Sequence, residues 1–376
     1  MKNLKQELAA YGQTVLVFQG GGALGAYQAG VYQALHEAGI EPDWVIGTSI
    51  GAINASIIAG NRPADRMAKL TEFWRRVEHG HFFESPAASL MNPLRTMSAI
   101  MAGIPAFFTP NMQAFMSPHL YLGAEDAGYY SVDPLRRTLS DLVDFDKVSE
   151  CGTRLTVGAA NVHTSEMRYF DSREQPLDLR HVMASGALPP AFPAVRIDGE
   201  LYWDGGIVSN TPVEAVFDDM PRRSGVVFAV HLWNPNGAEP KSIWDVMNRQ
   251  KDIQYSSRAA SHIARQRQIH KLRHIITQLA SLVPADAYPK DDLDHLASYG
   301  CVTKMHVVRL MAPMLDNEDH SKDVDFSPGG IRERWDAGYR HTCATLAQAP
   351  WREEADPLEG FILHEAVAGE LMDIEG

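Results

Sequence analysis

Early in the chain, short apolar runs alternate with segments of helical periodicity. Residues 14–18 (Thr-Val-Leu-Val-Phe) are β-branched and aromatic and run into a glycine cluster, the pattern of a buried strand. From Leu24 the positions Tyr27, Val31, Leu35 and Ala38 fall at helical spacing, and Gly39 is placed to stop the helix. After Pro42, residues 44–46 read as a second strand. A second helix opens at Ser49 and runs through Ile53, Ile57 and Ile58 to Gly60. Strand, helix, strand, helix in so short a span predicts parallel strands with right-handed crossovers, hence a sheet with helices on both faces.

Farther along, residues 155–162, 167–170, 226–232 and 305–310 read as strands, and 195–203 as a hairpin turning at Asp198-Gly199. Residues 178–187 read as a helix. Residues 242–282, poor in glycine and proline, read as long helices, and Ser327 with Pro328 opens a last one. The expected architecture is a three-layer α/β/α fold, mainly parallel, with a catalytic domain over residues 14–235. A mostly helical C-terminal elaboration follows over 236–376.

Two segments break the rhythm. Residues 81–123 are rich in Met, Phe and Pro (Phe82, Phe83, Met91, Met97, Met101, Phe107, Phe108, Phe115, Met116). Methionines suit adaptable apolar surfaces, so this insertion reads as a lid or acyl-chain channel, weighed equally against an ordinary helical subdomain. The acidic tail, residues 353–376, mixes carboxylates with Phe361, Ile362, Leu363, Leu371 and Met372, which suits an amphipathic helix docked on the domain or on a second subunit.

Composition narrows the function. In 376 residues, 45% hydrophobic and 22% charged residues make a globular chain with a sizeable core. A net charge of -13 argues against a nucleic-acid partner and against electrostatic docking on anionic membranes. It leaves transient contact with zwitterionic or neutral lipid surfaces open. The cysteines Cys151, Cys301 and Cys343 form no disulfide pattern, and no signal or membrane-spanning segment is evident, so a cytoplasmic location is expected.

The chemistry centres on Gly47-Thr48-Ser49-Ile50-Gly51. A Gly-x-Ser-x-Gly turn between strand and helix exposes a strained serine above the sheet, and small neighbours are required where the two backbones nearly collide. Upstream, Gly20-Gly21-Gly22-Ala23-Leu24-Gly25 admits two readings. It fits an oxyanion hole for Ser49, and as Gly-x-Gly-x-x-Gly it also fits a dinucleotide loop. The dinucleotide reading needs an acidic residue at the end of the second strand, where the serine turn stands instead. Ser49 needs a base. His163 and His231 lie at strand ends without a catalytic motif. Asp204, in Trp203-Asp204-Gly205-Gly206, can approach another backbone closely, and burial would raise its pKa toward a useful range; an Asp-Gly turn is the plain alternative.

Together these motifs, with Ala184-Ser185-Gly186-Ala187-Leu188-Pro189-Pro190-Ala191-Phe192-Pro193, resemble the patatin-like phospholipase family over residues 15–216. The resemblance implies a Ser49–Asp204 dyad without histidine and an oxyanion hole built from the Gly21 and Gly22 amides. It also implies phospholipid, lysophospholipid or neutral acyl-ester substrates and neither metal nor cofactor. Leu24 stands where many members carry Arg or Lys. The region after Ser242 looks like an extension found in some bacterial members. A dinucleotide-dependent oxidoreductase and a catalytically silent lipid- or granule-binding protein are the rival readings. His79-Gly80-His81 reads as a surface pair rather than a metal site, and Asp291, Asp292 and Asp294 as a solvated acidic face. Oligomeric state is not legible.

Overall fold

The computed structural model describes residues 4–79 and 101–365, apart from 149, 151, 285–286, 316–317, 319, 354–355 and 357. Its strands are β1 (Gln13–Phe18), β2 (Trp44–Thr48), β3 (Thr109–Pro110), β4 (Tyr130–Ser131), β5 (Arg154–Asn161), β6 (Met167–Asp171), β7 (Val195–Ile197), β8 (Glu200–Asp204), β9 (Gly225–His231), β10 (Met305–Met311) and β11 (Phe361–Glu365). Nine of them form one sheet: β11-β10-β9-β1-β2-β5 run in order, β6 pairs with the far edge of β5, and β8, followed by β7, pairs with β5 just beyond the end of β2. From β11 to β5 the neighbours are parallel; β6 and β8 run antiparallel to β5, and β7 to β8. The short β3–β4 ribbon stands apart.

The central strands are apolar throughout because both faces are covered. Leu16, Phe18, Val45 and Phe228 point into one core with helices α1 (Leu4–Tyr11), α2 (Ala26–Glu37), α3 (Ile50–Ala59) and α4 (Pro63–Val77). Their neighbours Val15, Val17, Ile46 and Val227 point into a second core that includes Ile263 of the long helix Ile243–Leu282. Period-two alternation thus sorts each strand between two apolar layers. Ser242 caps the long helix in a reciprocal capping box with Asp245.

The C-terminal region extends this sheet as well as adding helices. β10 and β11 continue it beyond β9. The helix Pro328–Gln348 packs on α2, where Trp335 Nε1 donates to Gln33 Oε1 at 2.6 Å and the Tyr27 hydroxyl meets His341 Nδ1 at 2.6 Å. The helical expectation for the acidic tail is corrected over residues 361–365. There the apolar run completes an edge strand, because pairing with β10 satisfies its backbone and buries Phe361. Residues 366–376, with Leu371 and Met372, lie outside the described residues. The helix expected from Leu24 begins instead with a 3-10 turn at Gly22–Gly25, and α2 proper starts at Ala26.

Candidate active site

Ser49 sits between the end of β2 and the start of α3 with φ 57 and ψ −126, a conformation that non-glycine residues rarely adopt. Backbones close in from both sides. A Cβ on Gly47 would stand 2.2 Å from the Gly51 carbonyl oxygen, and one on Gly51 would stand 2.4 Å from that of Phe18. Only glycine fits at either place, which is why the pentapeptide reads so clearly in sequence. The Ser49 amide donates to Ser185 Oγ at 3.0 Å, and the Ser185 hydroxyl donates to the Gly158 carbonyl at 2.6 Å. The serine turn is therefore tied to β5 through a buried side chain.

That strand also brings in Asp204. Gly158 pairs with Thr48 of β2 on one side and Tyr169 of β6 on the other; the next residue, Ala159, pairs with Arg168 of β6 and Asp204 of β8. Hence β2 and β8 lie on the same side of β5, one ending where the other ends, and their last residues meet. The Ser49 side chain adjoins the Asp204 carboxylate and favours its charged form, and the Gly206 amide donates to Asp204 Oδ1 at 2.7 Å. Asp204 is 1% exposed. Burial pushes its carboxyl up to about 7, against the lowering pull of Ser49 and of the Gly206 amide. Gly205 is pressed on the β5 backbone, where a Cβ would lie 2.6 Å from the Gly158 oxygen.

The glycine loop follows β1, the strand next to β2. The Gly20 amide donates to the Asn210 carbonyl, and the Gly20 carbonyl accepts from Asn210 Nδ2 at 3.1 Å and Trp233 Nε1 at 2.8 Å. The Ala23 amide is taken by the Asp323 carbonyl at 2.9 Å and the Leu24 amide by Gly21. Among the described residues the Gly21 and Gly22 amides have no such partner, and both glycines line the same cavity as Ser49. Gly25 packs against Ile50, the residue after the serine. Two backbone N–H groups without an acceptor among the described residues therefore belong to residues that share a cavity with Ser49.

The cavity is about 180 Å³ and holds Ser49 and Asp204 beneath apolar walls that include Phe107, Phe108, Leu135, Phe192 and Phe326. Among the described residues, no histidine lines it. His163 lies on an exposed turn after β5, its amide bonded to Asn161 Oδ1. His231 ends β9, fully buried, with its pKa pushed down to about 3 by burial and the nearby Arg309 charge. His79 donates its amide to Phe326; Gly80 and His81 lie outside the described residues. Asp291, Asp292 and Asp294 are exposed on the helix Lys290–Ala297. Of the Met- and Phe-rich segment, Phe82, Phe83, Met91 and Met97 lie outside the described residues. Phe107 and Phe108 turn inward to the cavity, whereas Met101, Phe115 and Met116 are exposed.

Sequence reasoning passed over Ser185, Asn210 and Trp233, which hold the turn and the loop. It also passed over Tyr255 and Asp323, which reach the cavity from the C-terminal region. Only Ser185 lay in a motif already singled out. The others act from remote segments and carry no local signature.

A family model described as patatin-like phospholipase matches residues 16–217, and a second, described as patatin phospholipase, matches 253–358. An uncharacterized protein, R571, of Acanthamoeba polyphaga mimivirus is 23% identical over 233 residues, 59% of this chain and 67% of that protein. Patatin-like phospholipase domain-containing protein 6 of Homo sapiens is 29% identical over 207 residues, 54% of this chain but 12% of its own length. Lysophospholipase nte1 of Aspergillus terreus is 25% identical over 237 residues, 62% of this chain and 13% of its own. Among solved structures, VipD from Legionella pneumophila matches 89% of this chain and 67% of its own with 17% identity and a TM-score of 0.38. With a matched region that spans the serine turn, the glycine loop and Asp204, this chain belongs to the patatin-like phospholipase family.

Proposed function

We propose that the protein is a serine lipid acyl hydrolase that releases fatty acid from a phospholipid or lysophospholipid through an acyl-Ser49 intermediate. The reading is carried by one observation: Ser49 and the buried carboxylate of Asp204 meet at the floor of one apolar cavity, where burial pushes the carboxyl up to about 7. Asp204 in its ionised form accepts the Ser49 proton as the oxygen attacks the ester carbonyl. The tetrahedral oxyanion is stabilised by the Gly21 and Gly22 amides. Collapse expels the alcohol, which takes the proton from Asp204. Water then attacks the acyl-enzyme by the same route in reverse, giving up its proton to Asp204, and Ser49 recovers its hydrogen as the fatty acid leaves.

An aspartate serves here because its desolvated carboxyl titrates near neutrality, where an ordinary one would be a weak base. The aromatic walls suit an acyl chain, and Phe107 and Phe108 bring part of the Met- and Phe-rich segment into those walls. The curated relatives named lysophospholipase support a single-chain phospholipid as the first substrate to try. No helix among the described residues is long and apolar enough to cross a membrane. The test is to incubate the protein with a total lipid extract beside Ser49→Ala and Asp204→Asn and to identify what is consumed. Loss of one lipid class and gain of free fatty acid, in the native protein alone, is expected; an unchanged extract would favour a catalytically silent binding protein.

A further inference from the structure

A second cluster of chemically active side chains stands at the opposite end of the sheet from Ser49. His270 and His274, one turn apart on the helix Ile243–Leu282, present their Nε2 atoms to the Thr303 carbonyl at 2.9 and 2.8 Å. Cys301 Sγ lies 3.9 Å from His270 Nε2, and ligand atoms of all three residues fall within 4.8 Å of one another. The two imidazoles are buried, at 2% and 6% exposure. The two ring nitrogens and the Cys301 sulfur thus converge on one carbonyl oxygen, whose two lone pairs meet both imidazoles, so three potential ligand atoms already face one point. His270 Nδ1, on the other side of its ring, is buried with no hydrogen-bond partner among the described residues. Backbone has been cleared for the rings as well: a Cβ on Gly360 would stand 2.1 Å from His274 Nε2.

We propose that His270, His274 and Cys301 bind a zinc ion, with the Thr303 carbonyl or a water as fourth ligand. Two imidazole nitrogens and a thiolate are a borderline-soft donor set that selects Zn²⁺ over Mg²⁺ or Ca²⁺, and the Nε2–Sγ separation suits neighbouring corners of a tetrahedron with Zn–N near 2.1 Å and Zn–S near 2.3 Å. Zinc binds the thiolate, and coordination itself displaces the thiol proton.

The site is structural rather than part of ester hydrolysis. Thr303 precedes β10, whose first residue Met305 is in register with Gly225 and thence Gln13 at the starts of β9 and β1. Ser49 follows the far end of β2, a strand's length away, about 17 Å. The ion would join the long helix to the segment entering β10 and, through Gly360, whose carbonyl accepts from the Met305 amide at 2.8 Å, to the segment entering β11. It would pin the C-terminal region to the sheet edge that this region itself completes.

The experiment uses the whole chain, stripped with a chelator and titrated with Zn²⁺ against a chromophoric competitor. One Zn²⁺ per chain is expected, with affinity falling at least about 100-fold in Cys301→Ser and in His274→Gln. Cys301 alkylation by iodoacetamide, followed by mass spectrometry, provides a reading in the unaltered protein. Zn²⁺ should slow it at least about tenfold while leaving exposed Cys343 unaffected. Absence of stoichiometric uptake, or equal slowing at both cysteines, would overturn the proposal, as would variants that fold and bind as tightly as the native chain.

Discussion

Replacing Asp204 by asparagine should make the protein more stable as well as inactive, and the gain should depend on pH. The carboxyl titrates at 3.8 when free and at about 7 in the folded protein, where burial opposes its charge. A group whose folded value is raised favours the folded state below the lower value and loses that advantage as pH rises through the upper one. At 1.36 kcal/mol per unit, the full loss is about 4 kcal/mol above pH 7, and about 2.5 kcal/mol of it falls between pH 5 and 8. Asparagine keeps an acceptor for the Gly206 amide but brings an amide donor that costs about 1–3 kcal/mol if left unpaired. That cost is independent of pH and cancels when the two conditions are compared. The assay is urea unfolding followed by tryptophan fluorescence, native protein beside Asp204→Asn, at pH 5 and pH 8. The stability difference between them should shift by about 2.5 kcal/mol in favour of the variant at the higher pH. A constant difference would refute the argument, because it would mean that the carboxyl is not held neutral by burial.

Further expectations follow from the same geometry. The pH dependence of kcat/KM on a soluble ester should rise through a single ionisation near 7 as Asp204 becomes able to accept a proton, and a profile flat from pH 5 to 9 would exclude it as the base. Ser185→Ala strands the Ser49 amide and the Gly158 carbonyl. It should cost about 1–3 kcal/mol in stability and lower kcat on the order of tenfold with little change in KM, read by unfolding and steady-state kinetics. Gly51→Ala places a methyl 2.4 Å from the Phe18 oxygen and should destabilise by more than about 3 kcal/mol; a well-folded, fully active variant would contradict the close approach. Leu135→Trp narrows the cavity and should reduce hydrolysis of long-chain esters at least about tenfold more than that of short nitrophenyl esters, whereas equal losses would remove the cavity from chain selection.

Some of this was legible in the sequence and some was not, for physical reasons. The turn at Ser49 is legible because its demands are local: two glycines where backbones touch, a strand before and a helix after. The hairpin at Asp198-Gly199 is legible for the same reason, with both residues at positive φ. Asp204 stood out only as an aspartate beside two glycines. Its meeting with Ser49 depends on the register of β2 and β8 along β5, a pairing between distant segments that no local pattern encodes. Asn210, Trp233 and Asp323 hold the glycine loop largely through its backbone groups, so their side-chain types announce nothing. The tail was undecided in sequence because an apolar run flanked by carboxylates fits a helix face as well as an edge strand, and over residues 361–365 only β10 decides between them. His270, His274 and Cys301 likewise meet only when the long helix lies across the entry to β10.

The central claim is that Ser49 carries the acyl group and that Asp204 activates it. The most direct measurement is mass spectrometry of the protein quenched during turnover of a slow ester, with the acyl adduct located by peptide mapping. The account predicts an adduct on Ser49 that disappears in Ser49→Ala and in Asp204→Asn and persists when any single histidine is replaced. An adduct on another residue, or its loss on replacing a histidine in a folded protein, would contradict it.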